Sequence, residues 1–449
     1  MRRCLIIESL PYHWEVLVAW VHMLKDLGID AEIAVGETSG HRETVALLGL
    51  EPGKVHDVRN LGSLPPARFD FVLLNTLVHD GYFFSQAPVP RPDLELLDRL
   101  QLPSVCVIHE PVQWVEKLVV HSFIESRDGS EKIINLLADG SSVRENGFWS
   151  AERWTIDGDK LMLPCDGALL EFRSSDRGQT YRCVDDPGIL LRTRVTPVED
   201  LHGHLGRKQH AVITLTAGGA AKLGEVYTGV EWILPFKIDE RHPARSDGPI
   251  AFAGTIDYDR KAIPSLLAAA GSLEPGERIL VIGGSRSADF ENDRFVKTFR
   301  RQIAELGIGE KFLFTGYLPY DQFIEKIKRC RFIIPLVDDY VDSGAYLVKL
   351  PAAVPLSLGL GVPMIMSKTV SGKFDVDALI SYPGQDLAGG LDACRRMTSE
   401  NYAQMLQTLD DTAKRIYAGN LQKLGAIIDR ITGPGSGKLK EPATKSTSC

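Results

Sequence analysis

Short apolar runs alternate with amphipathic segments over most of this chain. The run Cys4 to Ile7 has the character of a strand, and His13 to Leu27 follows with apolar side chains at helical spacing. Further apolar runs at Ala31 to Val35, Phe71 to Leu74 and Ser104 to Ile108 are each bounded by polar residues. This alternation predicts a parallel sheet that is covered by helices on both faces.

The same order repeats after a polar segment, Glu240 to Gly248, which has the composition of a linker. The pattern therefore predicts an α/β protein with two doubly wound, Rossmann-like domains and a C-terminal helical region that crosses back to the first domain, with a break near Gly419. The predicted parts are residues 1–240, residues 249–398, the helical region 399–432 and a disordered tail at 433–449.

Frequent turn signals interrupt the first domain between about residues 135 and 205. Asp157-Gly158, Asp166-Gly167 and Arg177-Gly178 separate short runs in which apolar and polar residues alternate. We interpret this segment as a small β-rich insertion that lies outside the first sheet. Structural cover and recognition of an acceptor are both open as its role.

The stretch RFIIPLVDDYVDSGAYLVKLPAAVPLSLGLGVPMI, residues 331 to 365, carries the main chemical signal. A buried strand leads into a polar loop, and Pro351 then marks the beginning of a helix that Gly361 ends. The N-terminus of a helix attracts anions through its unpaired N–H groups and its dipole. Because Lys349 adds a full positive charge beside that terminus, we predict a site for a nucleotide diphosphate.

Composition narrows the class of protein. The net charge is −8 and the pI is about 5.8, so a nucleic-acid partner is disfavoured. The sequence shows no secretory signal and no run long enough to span a membrane, which favours a cytoplasmic protein with reduced thiols and leaves peripheral membrane association open. The segment DLHGHLGRKQH contains a His-x-His pair, but no cysteine accompanies it, and we predict no metal site.

The sequential pattern is similar to that of the GT-B-type glycosyltransferases, and most of all to the large retaining family four group. The resemblance covers nearly the whole chain outside the insertion and the tail. It is carried by the first-domain pieces VCVIHEP, AVITLTAGGAAKL and VEWILPFKID, and by the second-domain pieces FAGTIDYDRKAIPSLLAAA, ILVIGG, FLFTGYLPYDQFIEKIKRCRFIIPL and LSLGLGVPMIMS.

This resemblance implies transfer of a hexose from a nucleotide diphosphate sugar, as donor substrate without a further cofactor, to a carbohydrate, lipid-linked or peptide acceptor. It implies that His109, at the end of a strand, lies near the transferred sugar, although a core histidine with a satisfied hydrogen bond would give the same pattern. His13 and Glu15, after the first strand, are candidates for contact with the acceptor hydroxyl.

Cations at loop positions are the candidates for stabilising the departing diphosphate, since its negative charge grows as the glycosidic bond breaks. These are Arg260, Lys261 and Lys349, each of which could also be an ordinary surface residue. Residues at strand ends and in the polar loop are the candidates for holding the donor: Gly254, Thr255, Gly284, Gly316, Tyr346 and Lys349.

The chain departs from the family pattern at two carboxylates. Val348 and Leu356 occupy the positions where the family usually carries two glutamates, and Thr255 occupies that of a usual arginine. Loss of these groups leaves two alternatives open: a GT-B-fold epimerase or hydrolase of a nucleotide sugar, and a non-catalytic sugar-binding relative. If the protein transfers sugar, the resemblance favours retention, in which the donor phosphate takes the proton; with inversion, His13 is a possible general base.

Overall fold

Three β-sheets organise the described part of the chain in the computed structural model. The structure describes residues 1–8, 13–36, 48–77, 101–116, 119–127, 129–137, 139–144, 149–150, 153–165, 168–176, 178–194, 209–239, 247–284, 290–316, 318–338, 346 and 348–433. Two sheets are parallel and one is antiparallel. Each sheet is formed by its own stretch of the sequence, except that the strands His210–Thr214 and Glu231–Trp232, which follow the antiparallel sheet in the chain, belong to the first sheet.

The strands in chain order are β1 Arg3–Glu8, β2 Asp30–Val35, β3 Val55–Asp57, β4 Phe71–Leu74, β5 Ser104–Ile108, β6 Val119–Arg127, β7 Ser130–Leu137, β8 Ser142–Arg144, β9 Trp149–Ser150, β10 Thr155–Asp157, β11 Lys160–Cys165, β12 Ala168–Arg173, β13 Thr180–Cys183, β14 Leu190–Arg194, β15 His210–Thr214, β16 Glu231–Trp232, β17 Ile250–Thr255, β18 Ile279–Gly284, β19 Phe312–Phe314, β20 Phe332–Ile334, β21 Met364–Ser367 and β22 Leu379–Tyr382.

The α-helices are α1 Trp14–Asp26, α2 Pro111–Glu116, α3 Ala217–Leu223, α4 Ile263–Ala270, α5 Arg294–Glu305, α6 Tyr320–Lys328, α7 Ala353–Leu360, α8 Lys368–Ser371, α9 Leu387–Arg396 and α10 Ser399–Thr432. Short 3-10 turns connect several of these elements.

The first sheet contains seven parallel strands in the order β16-β15-β5-β4-β1-β2-β3. Its central strands are mainly apolar because helices cover both faces; β5, for example, is buried at every position. The apolar side of α1 packs on one face through Val16, Trp20 and Leu24. The predicted doubly wound character of this domain is confirmed.

The second parallel sheet contains six strands in the order β19-β18-β17-β20-β21-β22. Helices α4, α5 and α9 contribute to the core on one face, and α6 and α7 contribute to the core on the other. This is again a Rossmann-like arrangement, as the sequence predicts. The carboxyl ends of β17 and β20 lie next to each other at the centre of the sheet, where such folds bind ligands.

The antiparallel sheet is larger than the predicted insertion. Its nine strands, β6 to β14, run in the order β10-β11-β12-β13-β14-β6-β7-β8-β9, so the sheet begins at Val119 rather than at about residue 135. The earlier start was missed although Asp128-Gly129 is a turn signal of the same kind as those further along the chain; β6 and β7 pair up to Arg127 and Ser130 on either side of it. The last described strand of the sheet, β14, ends at Arg194.

Helix α10 is continuous over 34 residues, so the predicted break near Gly419 is wrong. A glycine within a helix costs only about 1 kcal/mol relative to alanine, and packing on both sides of this position outweighs that cost. Leu409 and Ala413 join the core of the second domain, whereas Leu424 and Ile428 join the core of the first. The helix therefore packs on both domains.

Candidate functional site

The two Rossmann-like domains touch at the carboxyl end of the first sheet. Thr216, which caps α3 after β15, donates its hydroxyl to the carbonyl oxygen of Val348 over 2.5 Å. Beside this contact, Nζ of Lys349 lies 2.7 Å from Oε2 of Glu110, which directly follows β5 and His109. These two bonds fix the 348–349 segment of the second domain against the first domain.

The ion pair between Lys349 and Glu110 is partly enclosed, because each side chain is only 17% exposed. Its low exposure makes the attraction between the two charges less screened than in a surface pair, and removal of both charges from water costs correspondingly more. Lys349 was predicted from sequence as a diphosphate ligand; its partner Glu110 was not. A carboxylate directly after a histidine at a strand end was the signal available for it.

Lys261 lies at the junction of β17 and β20. Its ammonium donates to the carbonyl oxygen of Pro335 over 2.7 Å and lies 5.7 Å from the centre of the Tyr346 ring. Burial, together with the neighbouring charge of Arg260, lowers the pKa of Lys261 to about 8. Lys261 and Tyr346 were both predicted site residues, and the structure places them together.

Arg260 is held by its own loop. Nε of Arg260 donates to Oδ2 of Asp257 over 2.8 Å, and the backbone N–H of Lys261 donates to the Asp257 carbonyl oxygen over 2.8 Å. Burial opposes the charge of Arg260, but the bond to Asp257 and the nearby Tyr346 and Glu110 raise its pKa above the usual value. Arg260 and Lys261 thus lie beside β17 and β20, and Glu110, which is paired with Lys349, lies near Arg260.

Left-handed backbone occurs at one residue in each domain near the strand ends described above and below. Leu336, after β20, has φ 55°, and His13, before α1, has φ 64°. Left-handed backbone costs a residue with a side chain about 1–3 kcal/mol and is concentrated at functional sites. The Leu336 conformation is supported by a bond from the N–H of Ala262 to its carbonyl oxygen.

The predicted donor-binding glycines line the carboxyl ends of β17, β18 and β19. Gly254 faces Gly283 in the register of β17 and β18, and Thr255 faces Gly284. Gly254 has φ 115° and Gly316 has φ 70°, which L side chains rarely adopt. Bare backbone at these strand ends allows a ligand to approach the sheet closely.

His13 and His109 meet on the first-domain side. Their ring centres are 3.9 Å apart, and Nε2 of His109 lies 2.7 Å from the carbonyl oxygen of Asn75. A carbonyl can only accept, so Nε2 carries the hydrogen and Nδ1 of neutral His109 is an acceptor. Burial lowers the pKa of His109 to about 4, and burial and His109 lower the pKa of His13 well below its usual value.

A buried polar group lies beneath the histidines and was not predicted. Glu8, the last residue of β1, accepts from Nδ2 of Asn75 over 2.5 Å and from Oγ1 of Thr76 over 2.7 Å. Glu8 and Asn75 are fully buried. A carboxylate at the end of an otherwise apolar strand was the sequence signal, and its effect is to fix the turn that holds His109.

Glu15 lines a separate cavity of about 250 Å³ between α1, the 236–239 segment, α6 and α7. Tyr320 and Leu356 also line it, whereas Glu110, Lys261 and Lys349 do not. Burial raises the pKa of the Glu15 carboxyl. The structure therefore places this predicted acceptor-side residue apart from the cation cluster.

Other predictions fall partly outside the described residues. In the segment DLHGHLGRKQH only the last two residues are described, and Nδ1 of His210 there bonds to Oγ of Ser104 over 2.8 Å. Within the described ranges, no group of three or more His, Cys, Asp or Glu side chains is placed to hold a metal ion. None of the helices in the described part of the chain is long and apolar enough to cross a bilayer.

Comparison with solved structures identifies the architecture. HepE from Anabaena in complex with UDP and glucose aligns with a TM-score of 0.56 at 11% identity, over 96% of this chain and 100% of that one. A glycosyltransferase from Rickettsia africae aligns with a TM-score of 0.53 at 11% identity, over 96% and 99% of the two chains. This chain has the GT-B fold. No protein-family model and no curated protein matches its sequence.

A sucrose-phosphate synthase from Thermosynechococcus elongatus shares this GT-B fold, with a TM-score of 0.51 at 11% identity over 96% of this chain and 99% of that one. The predicted two-domain GT-B architecture is therefore confirmed. Membership of the retaining family four group stays a prediction, since identity at this level establishes the fold alone.

Proposed function

We propose that this protein transfers a sugar from a nucleotide diphosphate sugar to an acceptor hydroxyl. The observation that carries the proposal is the cluster of Arg260, Lys261 and Lys349 at the carboxyl ends of the second sheet, facing the first domain. The GT-B fold agrees with it, and the HepE structures contain UDP, UDP-glucose or glucose in their complexes. The acceptor is a carbohydrate, a lipid-linked molecule or a peptide.

The cations supply the electrostatic stabilisation that this reaction needs. When the glycosidic bond breaks, negative charge grows on the diphosphate oxygens, and preorganised positive groups favour the transition state over the bound donor. Lys261 is held by the Pro335 carbonyl and Arg260 by Asp257, so neither needs to reorganise much during the reaction. With three cations in place, we propose that the diphosphate departs without a divalent metal.

His109 supports the sugar side of the reaction. Because its Nδ1 is an acceptor and its pKa is about 4, the ring can accept a hydroxyl hydrogen at neutral pH but does not act as an acid there. We propose transfer with retention, in which the donor phosphate takes the acceptor proton. His13 packs against His109 and has a depressed pKa, so it is available as a neutral base if the configuration is inverted.

A thermal-shift screen with UDP, GDP, ADP, CMP and TDP tests the donor site. A bound nucleotide raises the unfolding temperature by mass action, and the best ligand identifies the base. The corresponding nucleotide sugar is then incubated with and without candidate acceptors, and with EDTA. Consumption of donor and acceptor together, unaffected by EDTA, is the expected result; loss of transfer in EDTA would overturn the metal-free proposal.

Lys349→Ala should lower turnover by about ten- to a hundredfold, because an ammonium that contacts the diphosphate stabilises the developing charge. Lys222→Ala is the matched control. Lys222 lies on α3 outside the site and forms an ion pair with Glu225, which follows that helix. Initial rates at saturating donor measure both variants. Full activity of Lys349→Ala would remove Lys349 from the diphosphate site.

A second candidate is a sugar-binding relative without transferase activity. The observation in its favour is Leu356, which presents an apolar side chain to the cavity at a position where the family usually carries a glutamate. The screen and assay above separate the cases. Donor consumed alone indicates an epimerase or a hydrolase, and nucleotide bound without turnover indicates a binding protein.

A further inference from the structure

Glu110 introduces a negative charge into the cation cluster. Its carboxylate comes from the first domain, whereas Arg260, Lys261 and Lys349 all come from the second. Asp257, a second carboxylate beside these cations, uses Oδ2 to hold Arg260 and Oδ1 to accept from the N–H of Asp259. Asp257 therefore organises its own loop, whereas Glu110 reaches across the gap between the domains.

A nucleotide sugar is itself divided by charge. Its diphosphate is anionic and requires donors and cations, whereas its sugar is neutral and offers hydroxyl groups. A carboxylate can only accept hydrogen bonds, so it repels phosphate oxygens and binds hydroxyl groups well. Lys261 and Glu110 are therefore chemically suited to different parts of the donor, Lys261 to the diphosphate and Glu110 to the sugar.

We propose that Glu110 binds hydroxyl groups of the transferred sugar and that Lys349 holds its carboxylate in place. The proposal rests on the function proposed above and orients the donor within the site. The diphosphate lies toward Lys261 and Arg260 at the ends of β17 and β20, and the sugar lies against Glu110 at the end of β5.

The neighbours of Glu110 agree with this orientation. His109, the preceding residue, offers Nδ1 as a second acceptor, so two adjacent residues after β5 can receive hydroxyl hydrogens. Lys349 has three donor hydrogens and can bond Glu110 and a phosphate oxygen at the same time. Lys349 therefore lies where the anionic and neutral parts of the donor join.

A purely mechanical role for the ion pair makes a different prediction. If Glu110 only ties the two domains together, its loss weakens binding of every ligand that needs the closed arrangement. If Glu110 binds the sugar, its loss weakens binding of the nucleotide sugar and leaves the nucleotide alone unaffected. Comparing UDP with UDP-glucose distinguishes the two roles, because the two probes share the nucleotide and differ in the sugar and in the additional negative charge on the terminal phosphate of UDP.

Isothermal titration with UDP and with UDP-glucose on the full chain tests the proposal. For Glu110→Gln, which keeps the side-chain shape, we expect the Kd for UDP-glucose to rise about tenfold or more and the Kd for UDP to stay within about threefold or fall. Glu225→Gln, at a position just after α3, is the matched control and should change neither. Equal weakening of both ligands by Glu110→Gln, or no change in either, would overturn the proposal.

Two further variants distinguish a loss of sugar binding from a folding defect in Glu110→Gln. Glu110→Asp keeps the negative charge but has a shorter side chain. It should also weaken the binding of UDP-glucose more than the binding of UDP. The exchange variant E110K with K349E restores an ion pair with reversed polarity and should not restore binding of UDP-glucose; restoration would support the mechanical role. Wild-type protein that binds none of the nucleotides in the thermal-shift screen would contradict the proposed function as well, whereas equal losses in the variants contradict only the role of Glu110. If the screen identifies another base, the matching nucleotide and nucleotide sugar replace UDP and UDP-glucose.

Discussion

The pKa values of single residues at the site depend on their surroundings, and Lys261 is the clearest case. Enclosure between Pro335 and Tyr346, with Arg260 nearby, lowers the pKa of its ammonium to about 8. The group is therefore charged at neutral pH but close to titration. An anion that binds the charged form stabilises that form, so binding and protonation of Lys261 are linked.

This linkage predicts a pH dependence of donor binding. Between pH 7 and 8 the affinity for UDP-glucose should fall by only about twofold, because Lys261 goes from mainly protonated to half protonated. Above about pH 8 the free protein loses the charge, so the affinity should fall by up to about tenfold per pH unit, with uptake of a proton on binding. Titrations from pH 7 to 9 in buffers with different ionisation enthalpies measure both effects.

Lys261→Arg provides the control for this prediction, since a guanidinium stays charged throughout this range. Its affinity should be flat from pH 7 to 9, even if its absolute value differs from that of the wild type. A wild-type profile that is equally flat would show that the charge of Lys261 does not contribute to binding.

Among the elements, the antiparallel sheet β6 to β14 has a hydrophobic core of its own. The buried members of that core all belong to this sheet or its turns, and they include Phe123, Leu161, Phe172 and Leu191. None of them belongs to the cores beneath the two parallel sheets. A unit with a separate core can lose stability without disturbing the strand ends that form the candidate site.

Phe172→Ala should destabilise this sheet by about 3–5 kcal/mol, because it removes a fully buried aromatic ring and leaves a cavity. UDP affinity should stay at the wild-type value. Hydrogen exchange followed by mass spectrometry should show faster exchange in β11 and β12 and unchanged exchange in β17 and β20. A loss of UDP affinity in a still-folded variant would indicate that the sheet contributes to the donor site.

At the scale of the whole molecule, α10 joins the two parallel-sheet domains. Tyr417 donates its hydroxyl to Asp26 over 2.7 Å, and Nδ2 of the buried Asn420 donates to the carbonyl oxygen of Leu234 over 2.5 Å. The middle of the helix is thus bonded to α1 and to the segment that leads into the second domain. The relative position of the domains, and with it the Lys349–Glu110 contact, depends on this helix.

A matched pair of substitutions on α10 tests this role. Leu409 and Leu424 are both fully buried, the first in the core of the second domain and the second in that of the first. Each leucine-to-alanine change should lower the free energy of unfolding by about 2–5 kcal/mol. Hydrogen exchange should locate the loosened region in the second domain for Leu409→Ala and in the first for Leu424→Ala; loosening of the same region by both would contradict the assignment.

The sequence by itself determined the order of the elements and the architecture. Apolar runs of strand length alternate with helical patterns in each domain, and such runs can be buried only in parallel sheets covered on both faces. Glycines at the ends of β17 to β19 were also predictable, because they close apolar runs in the sequence. The cations were identified by residue type and by their place in loops after strands.

Only the tertiary structure decided which of these groups meet. Glu110 and Lys349 come from different domains, and no local pattern records how the two domains face each other. The burial of Glu8 beneath His109 and the enclosure of Lys261 likewise depend on packing between strands and loops distant in sequence. Gly419 illustrates the same limit, because contacts with both domains kept α10 continuous where the local preference indicated a break.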